Sequence, residues 1–140
     1  LVKMPLNKTW PEFKELLDVL AEHNVQGVTI ANLQKDRTGM NIPRDWLGGL
    51  SGGPCTVEST ELIRRVYRGY GQRFAIAGVG GVFTPQQAYD KIRAGSSLVM
   101  FITALMYRGP QQITVLKRGL AKLLKRDGFA HVGEAVGIDA

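Results

Sequence analysis

"FAIAGVGGVFTPQQAYDKIRAG", Phe74 to Gly95, decides the fold of this 140-residue chain. An apolar run, Phe74 to Val79, enters the glycine pair Gly80–Gly81. Thr84, Pro85 and Gln87 then supply an N-cap, an early proline and a capping-box partner, the order that starts a helix. The helix is predicted to run to about Ala94, with Gly95 as its stop. Strand, glycine turn and covering helix make one βα unit. The glycines admit three readings. A dinucleotide fingerprint needs G-x-G-x-x-G and an acid about 20 residues on. Gly78 and Gly80 fit, but Phe83 stands at the third position and the next strand, "SSLVM", ends without an acid. A bare βα turn and a phosphate cradle both remain, because glycine amides at a strand end can approach an anion closely.

The same unit recurs outward from this stretch. Leu1 to Met4 is a short apolar strand start broken by Lys3. Thr9, Pro11 and Glu12 repeat the cap, proline and capping-box pattern, and Phe13, Leu16, Leu17 and Leu20 mark one helix face. Asn24 ends that helix, and "VQGVTIAN" is a second strand. Ser59 or Thr60 can cap "ELIRRVYRGYG", with Leu62, Ile63, Val66 and Tyr70 inward. "SLVMFITAL", from Ser97, is the fourth strand. "PQQITVLKRGLAKLLKRDG" is the last helix, with Ile113, Leu116, Leu120, Leu123 and Leu124 on one face, and "FAHVGEAVG" is a short tail. The strands are apolar along their length rather than alternating, as parallel strands covered by helices are. Four βα units in 140 residues leave two α/β architectures: a small doubly wound sheet, or half of a TIM (βα)8 barrel, since a closed barrel needs about 250 residues.

Apolar residues are 44% and charged residues 21%, a globular composition. No apolar run approaches the ~20 residues of a membrane span. "LVKMPLNKTW" has neither an initiator Met nor a signal-peptide layout, and suggests a fragment. The formal charge of +6 favours anionic partners. The basic segments "RRVYR", "KRGLAKLLKR" and "RTGMNIPR" are dispersed, which reads as solvated helix faces rather than a nucleic-acid patch. The lone Cys55 excludes a disulfide framework and a cysteine-based zinc site, and reads as a loop thiol. His23 lies near a helix C-terminus, where the dipole favours a cation, and His131 is in the tail. Neither has metal-ligand spacing.

Further positions carry candidate chemistry. Residues 33 to 58 read as one long loop with five glycines and two prolines, a length usually functional or mobile. Within it, "GGLSGGP" places Ser51 and Gly52 for ligand contact, or forms a hinge. Lys3 is either a strand end reaching water or an ammonium aimed into a barrel mouth. Asn32, at a strand end, suits a carboxylate or amide and equally a turn. Gly80–Gly81 and Ile102–Thr103 close the last two strands. In βα-barrels phosphate often sits between those two loops, near a short extra helix.

Together, "VKMPL", "VTIANLQKDR", "GGLSGGP", "IAGVGGV", "KIRAGSSLVMFITAL" and "LLKRDGFAHVGEAVG" resemble the membrane-associated, quinone-linked class 2 dihydroorotate dehydrogenases over the whole chain. The resemblance implies an FMN-binding βα-barrel, with residues 1–140 as its C-terminal half, strands five to eight. It implies Lys3 beside the flavin ring, backbone contacts to FMN from Gly52 and Gly81, and the FMN phosphate held at Ile102 and Thr103. Ala31, Ser51 and Gly80 join that cofactor set. Asn32, with Leu33 beside it, falls on the substrate side. Three departures stand out. Ala31 and Leu33 replace hydroxyl residues common in the family, Ile102 stands where Tyr is common, and the catalytic serine base falls outside these residues.

The implied activity is oxidation of dihydroorotate to orotate in de novo pyrimidine (UMP) biosynthesis. A base takes one proton, hydride passes to FMN, and quinone reoxidises the flavin. It also implies a bacterial or mitochondrial inner-membrane location for the full-length protein, whereas the fragment itself is expected to be soluble. No metal and no nucleic acid are implied. The half-barrel is expected to be inactive alone. It should pair with the missing first half or self-associate through its open sheet edges. Another FMN- or phosphate-binding barrel oxidoreductase, or a non-catalytic phosphate-binding half-barrel, are the alternatives.

Overall fold

The computed structural model describes residues 1–31, 33–43 and 45–140. In chain order the elements are β1 (Val2–Lys3), α1 (Trp10–Glu22), β2 (Gly27–Ile30), α2 (Thr56–Tyr70), β3 (Ala75–Val79), α3 (Pro85–Arg93), β4 (Leu98–Met100), α4 (Thr103–Arg108) and α5 (Gln111–Arg126). One-turn 3-10 helices occupy Gly53–Cys55 and Val132–Ala135. The asparagine at 32 lies outside the described residues.

The four strands form one parallel sheet in the order β1-β2-β3-β4. Every strand lies beside its neighbour in sequence, so the connections always step the same way. A doubly wound sheet would reverse that order at a switch point. None occurs here, and the order is that of consecutive units of a (βα)8 barrel. The doubly wound alternative is thereby removed.

The register separates two faces. Lys3, Thr29, Ala77 and Leu98 pair in one row across the sheet. Because side chains alternate along a strand, Val28, Ile30 and Ile76 point the other way. They are fully buried with Met4, just after β1, and with Phe13 and Leu17 of α1 and Ile63 and Val66 of α2. Each such side chain contributes roughly 1.5–3 kcal/mol by burial. A second cluster joins Tyr89 and Ile92 of α3 to Leu120, Leu123 and Leu124 of α5 and to Ala135 of the tail. The face carrying Lys3 has no covering layer at its edge: Leu98 is 59% and Met100 45% exposed.

The helix starts follow the sequence reading. The Glu12 carboxylate accepts from the Thr9 amide at 2.9 Å and hydroxyl at 2.8 Å. The Thr84 hydroxyl accepts from Gln87 N at 3.2 Å. The Gln87 amide oxygen in turn accepts from Thr84 N at 3.0 Å and Phe83 N at 2.8 Å.

Four details differ from expectation. Helix α2 starts at Thr56 rather than after Ser59 or Thr60, because the turn of Gly53–Cys55 feeds directly into it. Ser59 is fully buried inside the helix. Strand β4 stops at Met100, and Thr103–Arg108 forms the separate helix α4. Leu16 and Ile113 are exposed, because the apolar stripes of α1 and α5 are narrower than the sequence pattern.

Candidate functional site

Three loops converge at the C-terminal end of the sheet. They follow β2, β3 and β4, and enclose a cleft of about 460 Å³. Its lining includes Lys3, Ala31, Leu33, Ser51, Gly52, Gly80, Gly81, Ile102 and Thr103. These are all the described positions that the sequence singled out as cofactor or substrate residues. The structure brings them together from positions as far apart as Lys3 and Thr103. Among the described lining residues Lys3 alone is charged, at the end of β1 opposite Thr29.

The loop after β3 is held from behind by α2. Gly80 and Gly81 have φ of +107° and +70°, the left-handed region that favours glycine. A Cβ on Gly81 would lie 1.9 Å from Thr56 Oγ1, so no side chain fits between turn and helix. The Thr56 hydroxyl is shared between Gly53 O at 2.8 Å and Gly81 O at 3.1 Å, and the Ser59 hydroxyl between Cys55 O at 2.6 Å and Gly80 O at 3.2 Å. The start of α2 therefore clamps the turn.

The loops after β2 and β4 meet at Gly52. Its φ is +78°, and a Cβ there would stand 2.9 Å from Thr103 Cγ2 and 3.4 Å from the Phe83 ring. Those neighbours line the cleft, so glycine keeps space open where three loops meet. The Ser51 and Thr103 hydroxyls lie 3.1 Å apart. Thr103 also opens α4. The first helical bond there runs from Met106 N to Ile102 O at 3.1 Å, so the helix leaves the Thr103, Ala104 and Leu105 amides without an internal acceptor. Hydroxyls, left-handed glycines and a fresh helix start are the donor set that receives a phosphate.

Several lining residues lay outside the sequence expectation. Cys55 is a buried member of the 3-10 turn, lining the cleft and donating to Leu50 O at 3.3 Å, rather than a loose loop thiol. Phe83, which argued against a dinucleotide motif, forms part of the wall. The Arg108 guanidinium lies over its ring at 5.4 Å and donates to its carbonyl at 2.8 Å. Phe101, Met106 and Tyr107 complete an apolar side.

Lys91 was not singled out either. It is fully buried in α3, and burial pushes its ammonium down to about 8. Its signal is a lysine among Ala88, Tyr89 and Ile92 on the buried face of a helix. His23 Nδ1 donates to Val19 O at 2.8 Å, and the His131 ring accepts from Gly133 N at 3.0 Å. Both are used at chain turns. Among the described residues no group of three or more His, Cys, Asp or Glu could hold a metal ion.

Residues 1–124 match the family described as dihydroorotate dehydrogenase. The chain belongs to that family. It is 36% identical over 148 residues to the dihydroorotate dehydrogenase (quinone) of Synechocystis sp., and 42% identical over 141 residues to that of Anaeromyxobacter sp.. In both cases 99% of this chain aligns with 39% of the relative. The chain therefore spans about two fifths of the length of these curated dihydroorotate dehydrogenases.

A solved structure, the ligand-free DHODH of Eimeria tenella, superposes with a TM-score of 0.91 at 32% identity. It covers 99% of this chain and 39% of that one. The same enzyme in complex with ferulenol gives 0.88 over 99% and 37%. The dihydroorotate dehydrogenase fold thus confirms the half-barrel reading of the sheet order. No helix among the described residues is long and apolar enough to cross a membrane.

Proposed function

We propose that this chain forms the cofactor-holding half of an FMN-dependent dihydroorotate dehydrogenase that passes electrons from dihydroorotate to a quinone. The observation that carries the reading is the convergence of Gly52, Gly81 and Thr103 on one cleft at the C-terminal sheet end, with Lys3 at its rim. In βα-barrels that end holds the active site, and the loops of the last two strands hold phosphate.

The cleft fits the flavin mononucleotide on the chain's own terms. Gly52 leaves open the space that a Cβ would fill against Thr103 and Phe83. The Thr103 hydroxyl and the unbonded amides of the first α4 turn would hold the phosphate group, with Ile102 contributing its backbone. Gly80, Gly81 and Ser51 would border the same end. Lys3, from the first strand, would lie by the ring system, where its ammonium favours an anionic reduced form. Ala31 would join the cofactor side, and Leu33 and the asparagine at 32 would belong to the substrate side. Bound there, FMN would supply the hydride-accepting chemistry that no amino-acid side chain provides. The residues of this chain bind, orient and polarise. The proton-abstracting base is assigned to the first half of the barrel, beyond these residues.

The substitution of hydroxyl residues by Ala31 and Leu33 favours a second reading, another FMN-dependent barrel oxidoreductase with a different substrate. Steady-state assay of the full-length protein separates the two. Dihydroorotate-dependent reduction of a soluble quinone is expected, abolished when dihydroorotate is omitted. A flavin-loaded protein that leaves dihydroorotate untouched would move the assignment to the second reading.

A further inference from the structure

Behind the glycine turn lies a charge that the cleft lining does not contain. Lys91 is the one charged side chain among the described residues that is fully buried. Its Nζ donates to Ser59 Oγ at 2.6 Å and to Thr60 Oγ1 at 2.9 Å. Ser59 Oγ, with its single proton, donates chiefly to Cys55 O at 2.6 Å and lies within reach of Gly80 O at 3.2 Å and Thr56 O at 3.3 Å. One hydroxyl therefore connects the ammonium to the first glycine of the turn. Cys55 and Gly80, both acceptors beside that hydroxyl, line the cleft.

A cation is costly at this place. Burial disfavours the charged form. The N-terminal end of α2, where Ser59 and Thr60 stand, carries the positive end of a helix dipole. None of the ion pairs among the described residues involves Lys91. Two of its three protons have hydroxyl acceptors, and neither acceptor is charged. A methionine would fill much of the same volume without that penalty. Such an arrangement makes sense where an anion arrives nearby and the site is dry enough for the attraction to reach it.

Resting on the FMN reading above, we infer that Lys91 is a positioning residue for the phosphate end of the cofactor. Its buried charge attracts the phosphate across the Gly80–Gly81 turn, and its link through Ser59 fixes that turn in its left-handed form. The free protein carries the cost of the charge, and the bound phosphate relieves it.

The test uses the full-length protein stripped of flavin and titrated separately with FMN and with riboflavin, which lacks the phosphate. Flavin fluorescence reports both affinities. Lys91→Met is expected to weaken FMN about tenfold, the scale of two charges interacting over several ångströms of protein. Riboflavin affinity should stay unchanged, and the apo-protein Tm should hold or rise. Equal weakening of both flavins, or an unchanged FMN-to-riboflavin ratio, overturns the inference and leaves Lys91 a packing residue. Ser59→Ala severs the link to Gly80 with little change in volume, and should show a smaller loss of the same selectivity. It carries the test if Lys91→Met does not fold, and an unchanged ratio there overturns the inference too. If the unaltered protein binds neither flavin, the cofactor reading itself fails and this inference falls with it. That outcome is distinct from a failure of Lys91 alone.

Discussion

Ser51 and Thr103 stand 52 residues apart in sequence, yet their hydroxyls approach to 3.1 Å. The contact ties the loop after β2 to the first residue of α4, and it occurs beside Gly52, where a Cβ would strike Thr103. Two loops that share no local sequence signal are thereby fixed in one geometry around the same donor group.

From this follows the first prediction. Thr103→Val keeps the branched shape and removes the hydroxyl. A hydrogen bond to a charged group is worth about 1.5–3 kcal/mol, so FMN affinity should fall by roughly tenfold or more. Ser51→Ala should cost less, because its hydroxyl acts through Thr103. A double-mutant cycle measured by flavin titration should show the two losses to be non-additive. Strict additivity would mean that the two hydroxyls act independently.

The Gly81 turn gives the second. A Cβ there meets Thr56 Oγ1 at 1.9 Å and sits on a φ of +70°. Gly81→Ala must therefore push α2 off the end of β3 and pay left-handed backbone strain, together about 2–4 kcal/mol. Gly53→Ala, with open space around its Cβ, should be nearly neutral. Urea denaturation of the two variants checks the contrast. Equal stabilities would show that the turn is not clamped as described.

How much of this was legible in the sequence follows from the kind of signal involved. The caps at Thr9 and Thr84 were readable because capping is local, and both formed with their expected partners. The strands were readable because buried parallel strands are uniformly apolar. Strand order was not, since nothing in a local window says whether Gly78 pairs beside Ile30 alone or beside Val99 as well. Helix α4 was hidden because "FITAL" is as apolar as the strand it follows, and only the tertiary turn at Ile102 ends the pairing. The glycines and Thr103 were legible as strand-end residues. Lys91 escaped because a lysine is ordinarily solvent-facing. Only its place on the Ala88–Ile92 face of α3 betrays its burial.

A third prediction uses that burial. In the folded protein the Lys91 ammonium loses its proton near pH 8, against 10.5 in the unfolded chain, chiefly through desolvation. Between those values the unfolded state binds more protons, so stability rises with pH. The gain should total about 3 kcal/mol from pH 8 to 10.5 in flavin-free protein. Below pH 8 both states are protonated and this contribution is flat. Thermal melts across that range, compared with Lys91→Met, read it directly. A slope that persists in the variant would have to come from other groups.

The open sheet gives the fourth. Leu98 and Met100 lie on the face and edge where the barrel would continue, and remain 59% and 45% exposed. An exposed parallel edge with apolar side chains recruits partners. Residues 1–140 produced alone should self-associate, and Leu98→Lys with Met100→Lys should suppress it. Light scattering that shows a monodisperse monomer for the unaltered residues would contradict this.

Whether the cleft holds FMN for the oxidation of dihydroorotate, as proposed above, is read by anaerobic flavin spectroscopy. The full-length protein should carry the yellow absorbance of oxidised FMN, and stoichiometric dihydroorotate should bleach it within the mixing time of a turnover. Added quinone should restore the colour. A protein without flavin, or a flavin spectrum that dihydroorotate leaves unchanged, would contradict the account.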